Sequence, residues 1–101
     1  VLFVCTANQQ RSPTAERIYS DDPRLEVRSA GTDALMGREV TAKDLAWADM
    51  VVVMEKRHEQ KIRMRFPEES GSVEFVNLDI PDLYQYMEQA LQREIRLGKP
   101  G

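Results

Sequence analysis

One cysteine, one arginine and one serine stand near the start of the chain at a spacing suited to nucleophilic chemistry on phosphorus. Cys5 closes the apolar run Val1-Leu2-Phe3-Val4, and Arg11-Ser12 follow after Thr6, Ala7, Asn8, Gln9 and Gln10. A loop of that length ahead of a helix can turn its backbone N–H groups inward, and together with the positive helix end they attract an anion of phosphate type. The same field favours a thiolate over a thiol, which makes Cys5 a candidate nucleophile. Arg11 brings a planar fork that can hold two phosphoryl oxygens and neutralise the charge spreading over them during transfer. Ser12 can donate a hydrogen bond to the sulfur. A lone cysteine at the end of a core strand is ordinarily inert. The Cys-x5-Arg-Ser spacing, set between a buried strand and a proline-started helix, argues against that reading here.

The elements that must position these groups are legible on either side of the loop. Val1 to Val4 is uninterrupted and rich in β-branched and aromatic residues, as in a strand buried on both faces. Ser12 as N-cap and Pro13 at the first helical position predict a helix from there, with Ala15, Ile18 and Tyr19 on its apolar stripe and Asp21-Asp22-Pro23 at its end. Strand, phosphate-type loop and helix together, VLFVCTANQQRSPTAE, resemble the N-terminal signature of the low-molecular-weight protein tyrosine phosphatases.

That resemblance implies a flavodoxin-like α/β domain, a cysteinyl-phosphate intermediate, no metal or cofactor, and an aspartate general acid from a later loop. It implies that Thr6 to Gln10 and Ser12 form the phosphate loop, that Asn8 braces it, and that Ser12 eases thiolate departure. Two positions depart from the family pattern. Ala7 stands where the family has glycine, so a left-handed backbone there would strain it by ~1–2 kcal/mol. Gln10 replaces the second cysteine of many members.

Composition agrees with one small domain over residues 1–101. With 42% hydrophobic residues in 101, the chain can bury one core and no second. The net charge of −3 gives no basic excess for nucleic acid, and no apolar run approaches the ~20 residues of a membrane span. A single cysteine cannot form an internal disulfide, and with no visible secretory signal the expected compartment is the cytoplasm.

Along the rest of the chain, Leu25-Glu26-Val27-Arg28 alternates and predicts an edge strand running into Ser29-Ala30-Gly31-Thr32, a cluster that also resembles the family. The segment after Thr32 is too short for the family's usual long helix. It leaves Leu35 and Met36 as candidates for one wall of the substrate slot and a short helix capped by Thr41 and Asp44, with Leu45 and Trp47 packing inward. Met50 to Met54 reads as a third buried strand. Lys56 to Arg65 reads as a helix with a basic solvated face, ended by Phe66-Pro67, and its His58 has no partners at metal-ligand spacing. Val73 to Val76 is a short fourth strand, and Leu83, Met87, Ala90, Leu91 and Ile95 lie on a final helical stripe.

Ligands in open α/β sheets bind beyond the carboxyl ends of the strands, which places Asn77 to Tyr84 beside the Cys5 loop. Ile80-Pro81-Asp82-Leu83-Tyr84 resembles the family's Asp-Pro-Tyr loop, with Leu83 in place of proline. Asp82 is therefore the candidate acid, Asp79 its alternate, and Tyr84 a further wall. The resulting expectation is a single-domain α/β fold with about four parallel strands flanked by helices. The resemblance implies that it hydrolyses phosphotyrosyl protein or small aryl phosphates, and its site is expected to take phosphate, sulfate or vanadate. Arsenate reductases need further cysteines, and cysteine phosphoryl carriers need no arginine after the loop. The alternative from another class is a non-catalytic phosphate-binding module on the same fold.

Overall fold

The computed structural model describes residues 1–34, 37–83 and 85–97. Four strands, β1 (Leu2–Cys5), β2 (Arg28–Gly31), β3 (Met50–Val53) and β4 (Glu74–Asn77), form one sheet in the order β2-β1-β3-β4. Every pairing is parallel. The helices are α1 (Arg11–Tyr19), α2 (Ala42–Trp47), α3 (Lys56–Arg65) and α4 (Gln89–Leu97), with a single 3-10 turn over Glu69–Ser72.

Because side chains alternate along a strand, the unbroken apolar runs serve two cores at once. Leu2, Val4, Val51 and Val53 pack on one face with Leu45 of α2 and Ile62 of α3. Phe3, Cys5 and Val52 pack on the other with Ala15 of α1 and Leu91 and Ile95 of α4. Cys5 is thus both the last residue of a central strand and a member of the core. Its terminus faces the loop that leads to α1.

Several boundaries differ from the sequence expectation. The edge strand begins at Arg28, not Leu25, because β1 starts only at Leu2 and Leu2 pairs with Arg28. Residues 25–27 have no ladder partner, and Leu25 is exposed. Ser29, Ala30 and Gly31, expected to follow the edge strand, form the strand itself together with Arg28. Helix α1 starts at Arg11, with Gln10 in the N-cap position and no side-chain cap. Ser12 therefore lies inside the first turn, and its hydroxyl turns to the cysteine sulfur instead of capping. The final helix begins only at Gln89. Met87 has a left-handed backbone (φ 58°) and donates its N–H to Thr14 Oγ1 at 2.8 Å, so the helix cannot extend back through it. Leu83 and Ala90 consequently face solvent, and the buried stripe reduces to Leu91 and Ile95.

The short helix α2 has the expected reciprocal cap. Thr41 Oγ1 accepts from Asp44 N–H, and Asp44 Oδ2 accepts from Thr41 N–H at 2.9 Å. Trp47 is half-buried, with the Arg28 guanidinium 4.0 Å above its ring. No described helix is long and apolar enough to cross a membrane.

Candidate active site

The loop between Cys5 and Arg11 is held from beneath by the neighbouring edge strand. Thr32 and Asp33 donate their N–H groups to the carbonyls of Cys5 and Thr6, both at 2.9 Å. Gly31 permits this approach, since a Cβ there would stand 2.4 Å from the Thr6 carbonyl oxygen. Gly37 is crowded in the same way against the Ala7 and Asn8 backbone.

The left-handed residue of the loop is Asn8 (φ 57°), not Ala7. Asparagine tolerates this conformation better than most residues, and the condition for strain at Ala7, a left-handed backbone there, is not met. The Asn8 side chain bonds in three directions. Nδ2 donates to Ser12 Oγ and to Ser29 Oγ, each at 3.0 Å, and Oδ1 accepts from Arg38 N–H at 3.0 Å. One amide therefore ties the loop to α1, β2 and the segment ahead of α2.

Ser12 Oγ lies 3.0 Å from Cys5 Sγ and 3.3 Å from the Ala30 carbonyl. Its lone pair is engaged by Asn8, which frees the hydroxyl proton for one of those two acceptors. An ionised sulfur, carrying the charge, is the stronger claimant.

Arg11 is almost wholly buried, at 1% exposure, and its guanidinium is anchored at one corner. Nη1 donates to Glu55 Oε2 at 2.6 Å and to the Ile80 carbonyl at 2.8 Å. Nη2 lies 3.5 Å from Thr6 Oγ1, and Nε 3.9 Å from Asp82 Oδ1. Nε and Nη2 share one edge of the planar group, and their parallel N–H bonds are the pair suited to two phosphoryl oxygens. The pinned corner fixes that edge.

Glu55 and His58 belong to this site, and sequence reasoning missed both. Glu55 follows β3 directly and also accepts from Arg57 at 2.8 Å. Partial burial alone would push its carboxyl up. Hydrogen bonds and charge from Arg57 and Arg11 outweigh that and bring it down to about 2. His58 is fully buried and lies 2.9 Å from Thr6 Oγ1. Burial first, then the Arg11 and Arg57 charges, lower it to about 4. The available signal was positional, since Glu55 is the first polar residue beyond the carboxyl end of a central strand.

The structure thus brings Cys5, Thr6, Asn8, Arg11, Ser12 and Asp82 into one network. Asp79 is exposed and left-handed, with its N–H on its own neighbour Asn77, and no described contact joins it to the loop. Leu35, Met36 and Tyr84, the expected walls of the slot, lie outside the described residues.

Comparison with known proteins adds the decisive observation. A family model described as low molecular weight phosphotyrosine protein phosphatase matches residues 1–41. The low molecular weight protein-tyrosine-phosphatase Wzb of Escherichia coli K12 is 31% identical over 84% of this chain and 78% of its own length. The chain belongs to the low molecular weight protein-tyrosine-phosphatase family. Another relative of this phosphatase, a protein-arginine-phosphatase of Geobacillus stearothermophilus, is 32% identical over 67% of this chain and 62% of its own. Among solved structures, Wzb from Escherichia coli K30 in complex with phosphate superimposes with a TM-score of 0.75 at 26% identity, covering 96% of this chain and 82% of that one. The phosphatase has the expected fold, a four-stranded parallel sheet flanked by helices.

Proposed function

We propose that this phosphatase cleaves phosphomonoesters, phosphotyrosine foremost, on Cys5 as nucleophile. The observation that carries the reading is the 3.0 Å contact of Cys5 Sγ with Ser12 Oγ inside a loop whose far end presents the Arg11 Nε–Nη2 edge. In the first step Sγ attacks phosphorus, and the P–O bond to the phenol breaks with its electron pair passing to oxygen. Asp82 gives that oxygen its proton. Water then attacks the cysteinyl phosphate, Asp82 takes the water's proton, and the S–P bond breaks to return the thiolate and release inorganic phosphate. Arg11 neutralises the phosphoryl oxygens in both steps, and Ser12 stabilises the departing sulfur.

Phosphate, sulfate and vanadate fit the same loop as product and its analogues. Residues 1–101 act as one catalytic domain, and the reducing cytoplasm suits a nucleophilic sulfur that must stay reduced. A non-catalytic phosphate-binding module would have no need for a serine on the sulfur.

The test is release of phosphate from an aryl phosphate with no metal added, inhibited competitively by vanadate. Phosphotyrosyl and phosphoarginyl peptides run beside it decide which bond is preferred. Cys5→Ser should bind phosphate and release none from substrate, because a hydroxyl is far less nucleophilic than a thiolate. Turnover by Cys5→Ser would overturn the mechanism.

A further inference from the structure

The buried imidazole has no part in the chemistry written above, yet its hydrogen bonds lead to the reacting group. His58 Nδ1 accepts the Glu55 backbone N–H at 3.0 Å. A nitrogen that accepts carries no proton, so the ring proton of the neutral imidazole is on Nε2. Nε2 lies 2.9 Å from Thr6 Oγ1 and must donate to it. Arg11 Nη2 approaches the same oxygen at 3.5 Å. A hydroxyl has two acceptor positions, and these two donors fill them. Glu55 therefore fixes the guanidinium twice. Its carboxylate holds Nη1, and its backbone N–H, through His58 and Thr6, reaches the Nη2 corner.

We propose that His58 is a positioning residue for the reaction: as a neutral Nε2–H donor it fixes Thr6, and through Thr6 it sets the Arg11 edge offered to the phosphoryl group. Arg11, Arg57 and Lys61 face the ring with Glu55 as the one opposing charge, so burial and three cations together keep it uncharged. A protonated ring would lose its acceptor at Nδ1 and release the Glu55 N–H. The proposal rests on the hydrolase reading.

Its first test does not depend on turnover. His58 is the only histidine, so long-range ¹H–¹⁵N spectra of the imidazole belong to it alone. They should show the Nε2–H tautomer, still neutral at pH 6. An Nδ1–H tautomer, or a ring that titrates at its ordinary value, overturns the positioning whatever the enzyme does.

The second test is kinetic. His58→Asn keeps an acceptor near Glu55 N–H but falls short of Thr6, and Thr6→Val removes the bridging hydroxyl. Each should lower kcat on an aryl phosphate by about tenfold or more while inhibition by inorganic phosphate changes by less than about threefold. The double variant should be no worse than the poorer single one, because both break the same chain. Thr6→Ser should regain at least half of what Thr6→Val loses. Additive losses, or lower Tm with kcat intact, overturn the proposal. A wild-type chain that releases no phosphate overturns the hydrolase reading itself, and the kinetic role with it.

Discussion

At Arg11 one corner of the guanidinium is given to structure and the opposite edge to chemistry. Glu55 makes the division, and its negative charge matters as much as its shape. Glu55→Gln keeps a hydrogen-bond acceptor but removes the arginine's nearer counter-ion, and a bond to a charged group contributes roughly 1.5–3 kcal/mol. If half or more of that is lost in the transition state, kcat should fall about tenfold, read in steady-state assays against unchanged far-UV dichroism. The proton donor is tested separately. A carboxylic acid that protonates the leaving oxygen typically contributes about 10²–10⁴-fold. Asp82→Asn should therefore be severely impaired on phenyl phosphate and mildly on a nitrophenyl ester, whose phenolate leaves unaided. Asp79→Asn should show no such contrast, since no described contact joins Asp79 to the loop while Asp82 lies 3.9 Å from Arg11 Nε. Leaving-group sensitivity confined to the Asp79 variant would move the acid to that residue.

The loop and its supporting strand show where sequence reasoning reached and where it stopped. Strand, loop and helix around Cys5 were legible because an unbroken apolar run, a polar loop and a proline in the first turn each act locally. The cap on α2 was legible for the same reason. The placement of Ser29 to Gly31 in β2 was not, because small residues carry no period and their strand pairing is set by a partner 26 positions earlier. The places of Glu55 and His58 in the site escaped notice because their partners, Arg11 and Thr6, are distant in sequence. The analogy with glycine raised left-handed strain at Ala7, but the left-handed residue is Asn8. Ala7→Gly is accordingly expected to cost ~0.4–1 kcal/mol by loosening the unfolded chain, whereas relief of strain would have stabilised it. Urea titration distinguishes the two signs. Gly31→Ala must push its new methyl against the Thr6 carbonyl, so it should weaken phosphate binding and cost about 1–3 kcal/mol of stability. Unchanged phosphate affinity would mean that β2 does not hold the loop.

Across the whole molecule the site's titrating groups tie folding to pH. His58 is lowered from 6.5 to about 4, so between those values the unfolded chain binds a proton that the folded chain refuses. Stability therefore falls as pH falls through that window and levels off below it. Glu55 and Asp33 add a second window. A hydrogen bond from Lys61, then one from Arg65, outweighs the opposing effect of burial at Asp33, which is lowered from 3.8 to about 2, and Glu55 from 4.5 to about 2. Each stabilises the fold above its ordinary value and loses that contribution as pH drops toward 2. The urea midpoint should thus decline without a plateau from pH 6.5 downward. His58→Gln should flatten the upper part of the decline and leave the lower part intact. A fold that gains stability between pH 6 and 4 would contradict the burial of a neutral ring.

The pinned arginine also bears on how this enzyme can be engineered. Reacting groups are commonly a burden on the fold, so that replacing them with apolar residues raises thermal stability at the expense of activity. Arg11 fastens the loop at Thr6, the exit of β3 at Glu55 and the segment beyond β4 at the Ile80 carbonyl. Arg11→Met would strip Glu55 of one partner and leave the Ile80 carbonyl without this donor. Its Tm should fall, not rise, alongside the loss of turnover. In this chain selection for a sturdier protein and selection for a faster one draw on the same residue, and a stabilised inactive variant is better sought at Cys5.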